Sequence, residues 1–177
     1  MPVKNHDLHG NAPDRSPTVL LLIDVINDLE FEGGEALLRQ ALPVNDNFGR
    51  WRSDFRTLLA HCLRDGVRGK PLAEQLAPGP DDYFVLKPKH SGFFSTSLDI
   101  LLEYLRAHTL ILTGLTAENC VLFTASDAYL RDYHLVVPPD CVASIEPAHT
   151  REALEHMHRV LKARLTPSTE LDLSRAA

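Results

Sequence analysis

TVLLLID at residues 18–24 and TLILTG at 109–114 are uninterrupted apolar runs of strand length. A strand that is apolar on both faces must be covered on both faces, which is the situation of a parallel sheet sandwiched between helices. The intervals between the runs agree. DYFVLK (82–87) and HLVVPPD (134–140) read as further strands, and RLTP (164–167) as a short terminal one. Helical segments alternate with them: GGEALLRQAL (33–42), SDFRTLLAHCLRDG (53–66), STSLDILLEYLRAH (95–108), AENCVLFTASDAYLRDY (117–133) and AHTREALEHMHRVLKA (148–163). The segment at 53–66 opens on a serine cap and stops at Gly66. The pattern predicts a three-layer α/β/α fold around a mainly parallel, Rossmann-like sheet.

In such a sheet, ligands bind beyond the carboxyl ends of the strands. Strand 18–24 ends in Asp24, strand 82–87 in Lys87, and strand 109–113 leads through Gly114 to Cys120 at the start of a helix. Each residue has an ordinary structural reading: a small core residue for Cys120, a helix cap for Asp24, a solvated charge for Lys87. Together they make a coherent hydrolytic set of nucleophile, base and charge holder. The first turn of a helix favours a thiolate through its dipole and unpaired N–H groups. Glu118 opposes that effect weakly, because residues two apart on a helix face different sides.

Composition narrows the field. At 177 residues the chain suits one domain, long enough to bury about two-thirds of its unfolded surface. A net charge of -6 with interspersed signs offers no footprint for nucleic acid or an anionic membrane. No apolar run reaches the roughly 20 residues of a membrane span, and MPVKNHDLHGNAPDRSP lacks a signal-peptide centre, so a cytoplasmic location is expected. Cys62, Cys120 and Cys141 are expected to be reduced, with Cys62 and Cys141 structural. No glycine-rich dinucleotide fingerprint or phosphate loop is present, and no cofactor is expected. His156 and His158, two apart on a helix, face different ways, no Asp-x-His element follows the first strand, and no metal is expected. Trp51, Phe93 and Phe94 are candidate walls of a small-molecule pocket, with a plain core role as the alternative for the two phenylalanines.

LLLIDVINDLEF, VLKPKHSGFFSTSLDILLEYL and LILTGLTAENCVLFTASDAYLRDYHLVVPPDCVAS closely resemble the isochorismatase-like cysteine hydrolases, a family of nicotinamidases, carbamoylsarcosine amidases and isochorismatases. The resemblance runs from about Thr18 to about Leu161 and holds all three blocks in the family's order. It implies a catalytic triad of Asp24, Lys87 and Cys120, a non-proline cis peptide between Leu115 and Thr116, and an oxyanion hole from the N–H groups of Thr116 and Cys120. The implied domain spans 18–167, between a polar N-terminal arm (1–17) and a C-terminal tail (168–177).

One departure from the family pattern is large. Only residues 25–44 separate the first strand from the NDNFGRW loop, whereas a βαβ unit takes about 30 residues or more. Most of one helix and the second strand are therefore expected to be lost, leaving the edge of TVLLLID in need of cover. From this follow an expected homo-oligomer and an irregular stretch at 25–53. The leading expectation is a hydrolase that cleaves a C–N bond of a small amide through a cysteine thioester. The alternatives are a catalytically impaired member serving as a binding or oligomer-forming subunit, and an isochorismatase-type enol ether hydrolase.

Overall fold

The computed structural model describes residues 15–26, 30, 32, 34–35, 59–77, 82–83, 85 and 87–172. β1 (Thr18–Ile23) and β2 (Thr109–Leu115) pair in parallel, from Thr18 beside Thr109 to Ile23 beside Gly114. On its other side β2 meets two short parallel strands in succession, β3 (His134–Val136) at its start and β4 (Val142–Ala143) at its end. The sequence reading had one strand over 134–140. Pro138 and Pro139 interrupt it, because a proline has no N–H to give to a ladder, and the chain turns through a 3-10 helix at Pro139–Cys141 before pairing resumes. The expected terminal strand reduces to a bridge between Val136 and Arg164.

The helices are α1 (Lys70–Gln75), α2 (Leu98–Leu105), α3 (Leu122–Tyr129) and α4 (Pro147–Leu161). In α2 the buried residues are Leu98, Leu102 and Leu105, and in α4 they are Thr150, Ala153, Leu154, Met157 and Leu161. This is the spacing of one apolar stripe on a 3.6-residue period. α4 begins on Pro147, where a missing N–H does no harm. It ends on Lys162 in the left-handed region, a common way for a helix to stop.

Both faces of the sheet are covered, as the apolar runs require. Leu110 and Leu112 of β2 pack with residues of α2, α3 and α4, while Leu115 joins Val25, Leu72, Leu76 and Ala143 on the α1 side. The short helix α1 has no counterpart in the sequence reading, which ended its helix at Gly66. The described helical residues 59–62 stop at Cys62, which is buried against Ala73 of α1 in a small cluster. Among the described residues, no helix is long and apolar enough to cross a membrane.

Three expectations fall wholly or mostly outside the described residues: the helix at 33–42, the pocket role of Trp51, and the truncated unit between Asp24 and Trp51. The strand expected at 82–87 is corrected in part. Asp82 and Tyr83 make only bridges, and Val85 and Lys87 are not in a strand.

The carboxyl end of the β1–β2 pair is unusually close. Gly114 has φ +117, and a Cβ placed there would lie 2.0 Å from the carbonyl oxygen of Ile23. Only glycine tolerates that combination of backbone angle and contact. Gly114→Ala is therefore expected to destabilise the fold by about 3 kcal/mol or more, read as a lower denaturation midpoint. A variant within about 0.5 kcal/mol of the parent would show that the strands can separate freely here.

Candidate active site

Past the last β1–β2 pair the two chains diverge, and the space between them holds the charged residues. Asp24 takes a left-handed backbone, φ 52, which aspartate tolerates better than most residues. Its carboxylate meets the Lys87 ammonium at 2.7 Å. The same ammonium donates to the Cys120 sulfur at 3.3 Å and to the carbonyl of Lys89 at 2.8 Å. All three donors of the lysine are thus used, and its position is fixed from three directions. The expected convergence of Asp24, Lys87 and Cys120 is present.

Cys120 sits in a π-helical turn, Ala117–Val121, that precedes α3. The sequence reading had an α-helix over all of 117–133. Wide turns of this kind occur mostly as single insertions, often at functional sites, and hydrophobic spacing does not reveal them. The carbonyl of Thr116 accepts from the N–H groups of Asn119 (3.1 Å) and Val121 (3.2 Å). The Leu115–Thr116 peptide is cis, at the position that the resemblance implies. The Thr116 hydroxyl is buried with no hydrogen-bond partner among the described residues. Glu118 points away from the sulfur, accepting a hydrogen bond from Ser144 and lying 3.9 Å from His149.

The segment that carries Lys87 is tied to the helix that follows Cys120. Ser91 donates to the Asp127 carboxylate, and the Gly92 N–H donates to the Thr124 hydroxyl at 2.9 Å. That hydroxyl, fully buried, donates in turn to the carbonyl of Cys120 at 2.7 Å. Arg131 closes the clamp through Asp99 at 2.9 Å and Asp127 at 3.2 Å, with its guanidinium 4.6 Å from the Phe93 ring centre. Lys87 is therefore held by loop-to-helix hydrogen bonds rather than by the strand end expected for it.

Two further expectations are corrected. Phe93 is a core residue, 5% exposed beneath Arg131 and beside Tyr133, so its ring cannot wall an open pocket. Phe94, its neighbour in sequence, is 55% exposed and remains available to a ligand. The electrostatics of Cys120 also run against the expected sign. Burial and the hydrogen-bonded Asp24 carboxylate push the thiol up to about 11, against the pull of Lys87. One adjacent carboxylate plus desolvation outweighs the helix turn, and the resting state is a thiol beside an ion pair. For Lys87, burial works against the charge, but Asp24 and then Cys120 outweigh it and hold the ammonium above its ordinary value.

His90, which the sequence reading did not single out, stands on another side of the sulfur. Its Nδ1 lies 3.8 Å from Cys120 Sγ, and its ring leans on Phe123 with 5.5 Å between centres. The only sequence signal is its place three residues after Lys87 in KPKHSG. Among the described residues, no group of three or more His, Cys, Asp or Glu side chains is placed to hold a metal ion.

Comparison with known proteins gives consistent results. The isochorismatase domain family matches residues 18–168. The uncharacterized isochorismatase family protein YaaI of Bacillus subtilis is 34% identical over 178 residues, covering 89% of this chain and 97% of that protein. The ureidoacrylate amidohydrolase RutB of Pantoea ananatis is 34% identical over 121 residues, covering 68% of this chain but only 47% of that longer protein. Among solved structures, the N-carbamoylsarcosine amidase of Thermoplasma acidophilum superposes with a TM-score of 0.61 at 26% identity, covering 88% of this chain and 98% of that one.

Proposed function

The chain belongs to the isochorismatase family and is a hydrolase, and on that premise we propose that it cleaves a C–N bond of a small amide through a thioester on Cys120. The observation that carries this reading is the single ammonium of Lys87 in contact with both the Asp24 carboxylate and the Cys120 sulfur. An arrangement of base, nucleophile and fixed positive charge suits acyl transfer to sulfur better than it suits a structural ion pair. Two relatives whose names specify an amidohydrolase and an amidase support the bond type.

In the proposed reaction the Cys120 sulfur bonds to the carbonyl carbon as its proton passes to Asp24. The oxyanion is received by the N–H groups of Thr116 and Cys120. The C–N bond then breaks, and Asp24 returns the proton to the departing nitrogen. Water adds to the thioester with its proton passing to Asp24, the C–S bond breaks, and Cys120 regains the proton as the acid leaves. Throughout, Lys87 stays paired with Asp24 and offsets the negative charge on sulfur. Phe94, exposed, and Trp51 are the proposed substrate walls.

A panel of small amides, ureides and enol ethers tests the bond type directly. Release of ammonia or an amine from at least one amide or ureide is the expected result. Hydrolysis confined to enol ethers contradicts it.

We further propose that the chain is at least a dimer. β1 is only partly buried from Thr18 to Leu22, whereas β2 is buried from Leu110 to Leu115. Sedimentation is expected to give at least twice the chain mass, and a stable monomer overturns the proposal.

A further inference from the structure

The clamp of Asp24 and Lys87 does not complete the surroundings of the sulfur. A thiol has one proton to give and lone pairs that accept. The Asp24 carboxylate, which shares the Lys87 ammonium with the sulfur, is the acceptor of that proton in the proposed reaction. The sulfur accepts from the Lys87 ammonium at 3.3 Å. His90 Nδ1, at 3.8 Å, then faces a sulfur whose proton the proposed reaction assigns to Asp24. The contact is favourable when Nδ1 carries the hydrogen, as it does in one neutral tautomer and in the cation. The His90 ring is exposed, yet its orientation is set by the lean on Phe123 at 5.5 Å between centres. Phe123 is itself 51% exposed.

We propose that His90 is a second hydrogen-bond donor to the Cys120 sulfur and a catalytic residue, holding the thiolate when the proton leaves for Asp24. This rests on the reading of Cys120 as the nucleophile. The contact is long in the resting site, where the sulfur is a neutral thiol and a weak acceptor. It shortens as the sulfur gains negative charge, as catalytic hydrogen bonds in unliganded sites commonly do. Lys87 serves Asp24 and the Lys89 carbonyl as well as the sulfur, so its charge is shared. Among the described residues, the polar contact of His90 is the one to the sulfur. Phe123 is the support that keeps the ring beside the sulfur.

The groups that can be confused with this role are few. Glu118 is occupied by Ser144, Asp24 accepts rather than donates, and Lys87 is already satisfied. A merely structural His90 would act through its ring stack on Phe123, and Phe in its place keeps that stack. His90→Phe and His90→Asn therefore separate the two roles, because the amide of asparagine can place a donor close to where Nδ1 stands.

The test is the rate at which Cys120 alone is alkylated by iodoacetamide at pH 9, followed by mass spectrometry of the full chain, with Cys62 and Cys141 as buried internal controls. It needs no substrate, so it stays decisive even if the amidase reading fails. His90→Phe is expected to slow alkylation of Cys120 about tenfold, the scale of one charge-assisted hydrogen bond. His90→Asn is expected to recover most of that loss, and both variants should unfold at the temperature of the parent. Where a turned-over amide is in hand, kcat should fall with the alkylation rate while KM changes little. Unchanged alkylation in His90→Phe overturns the proposal, as does an equal loss in His90→Asn and His90→Phe.

Discussion

Cys120→Ala is expected to abolish hydrolysis, by at least about a thousandfold, while the protein folds as before. The change removes the atom to which the acyl group is transferred in the proposed reaction. His90 is too weak a nucleophile in this position, held for donation rather than attack. The structural penalty is small because the thiol is only half-buried and a methyl group replaces it, a change worth roughly 1 kcal/mol or less. Cys62 and Cys141 behave in the opposite way. They are 0% and 7% exposed, so their alanine variants are expected to lower the thermal midpoint and leave turnover nearly unchanged. Full activity in Cys120→Ala would remove the mechanism proposed above.

Asp24→Asn is expected to move two measurements in opposite directions. After burial, the Asp24 carboxylate is the main reason the Cys120 thiol stands at about 11. Removing that charge leaves Lys87 3.3 Å from the sulfur without the carboxylate it is paired with. The thiolate fraction at pH 8 therefore rises, and alkylation of Cys120 should quicken by about tenfold, the effect of roughly one unit of acidity. Turnover should fall by about a hundredfold to a thousandfold, since neither the thiol proton nor the leaving nitrogen has its proton carrier. The parent protein should show the corresponding pH dependence, alkylation rising about tenfold per pH unit from 7 to 10 without a plateau. If alkylation and turnover fell together in Asp24→Asn, Asp24 would be a structural support and not the base.

Much of this site is legible in the sequence because its parts stand where apolar runs stop. TVLLLI is partly buried and ends on the buried Ile23 before exposed Asp24; TLILTGL is buried from Leu110 on, and the turn holding Cys120 follows it. Positions like these can be read without knowing the register of the sheet. The pairing of Lys87 with Asp24 and Cys120 is also expected from the strand-end argument, yet the structure reaches it differently. Among the described residues next to Lys87, none lies in a continuous strand, and hydrogen bonds from Ser91 and Gly92 to α3 hold the loop that follows. Such clamps leave no periodic trace.

Phe93 and Phe94 show where sequence reading stops. Adjacent residues in a turn commonly face opposite ways, and which one is buried depends on Arg131, which lies far along the chain and stacks on Phe93. The split of HLVVPPDCVA into β3 and β4 could have been read from Pro138 and Pro139, since neither can donate to a ladder. The π turn at Ala117–Val121 could not, because hydrophobic spacing there fits an ordinary helix equally well. The acidity of Cys120 was misjudged in sign for a related reason. A helix terminus is visible in the sequence, whereas the burial of the thiol, the largest cause of its shift, and the balance struck there between Asp24 and Lys87 are tertiary facts.

The most direct test of the central claim, that Asp24, Lys87 and Cys120 form a hydrolytic site acting through sulfur, is to catch the intermediate. The protein is mixed with an amide that it turns over, quenched in acid within the first turnovers, and examined by intact mass and peptide mapping. The account predicts an added mass equal to the acyl part of the substrate, located on the peptide that contains Cys120, abolished by hydroxylamine and absent from Cys120→Ala. Product formation at the same rate with no acyl group on Cys120, in a protein whose Cys120→Ala variant still turns over, would contradict it.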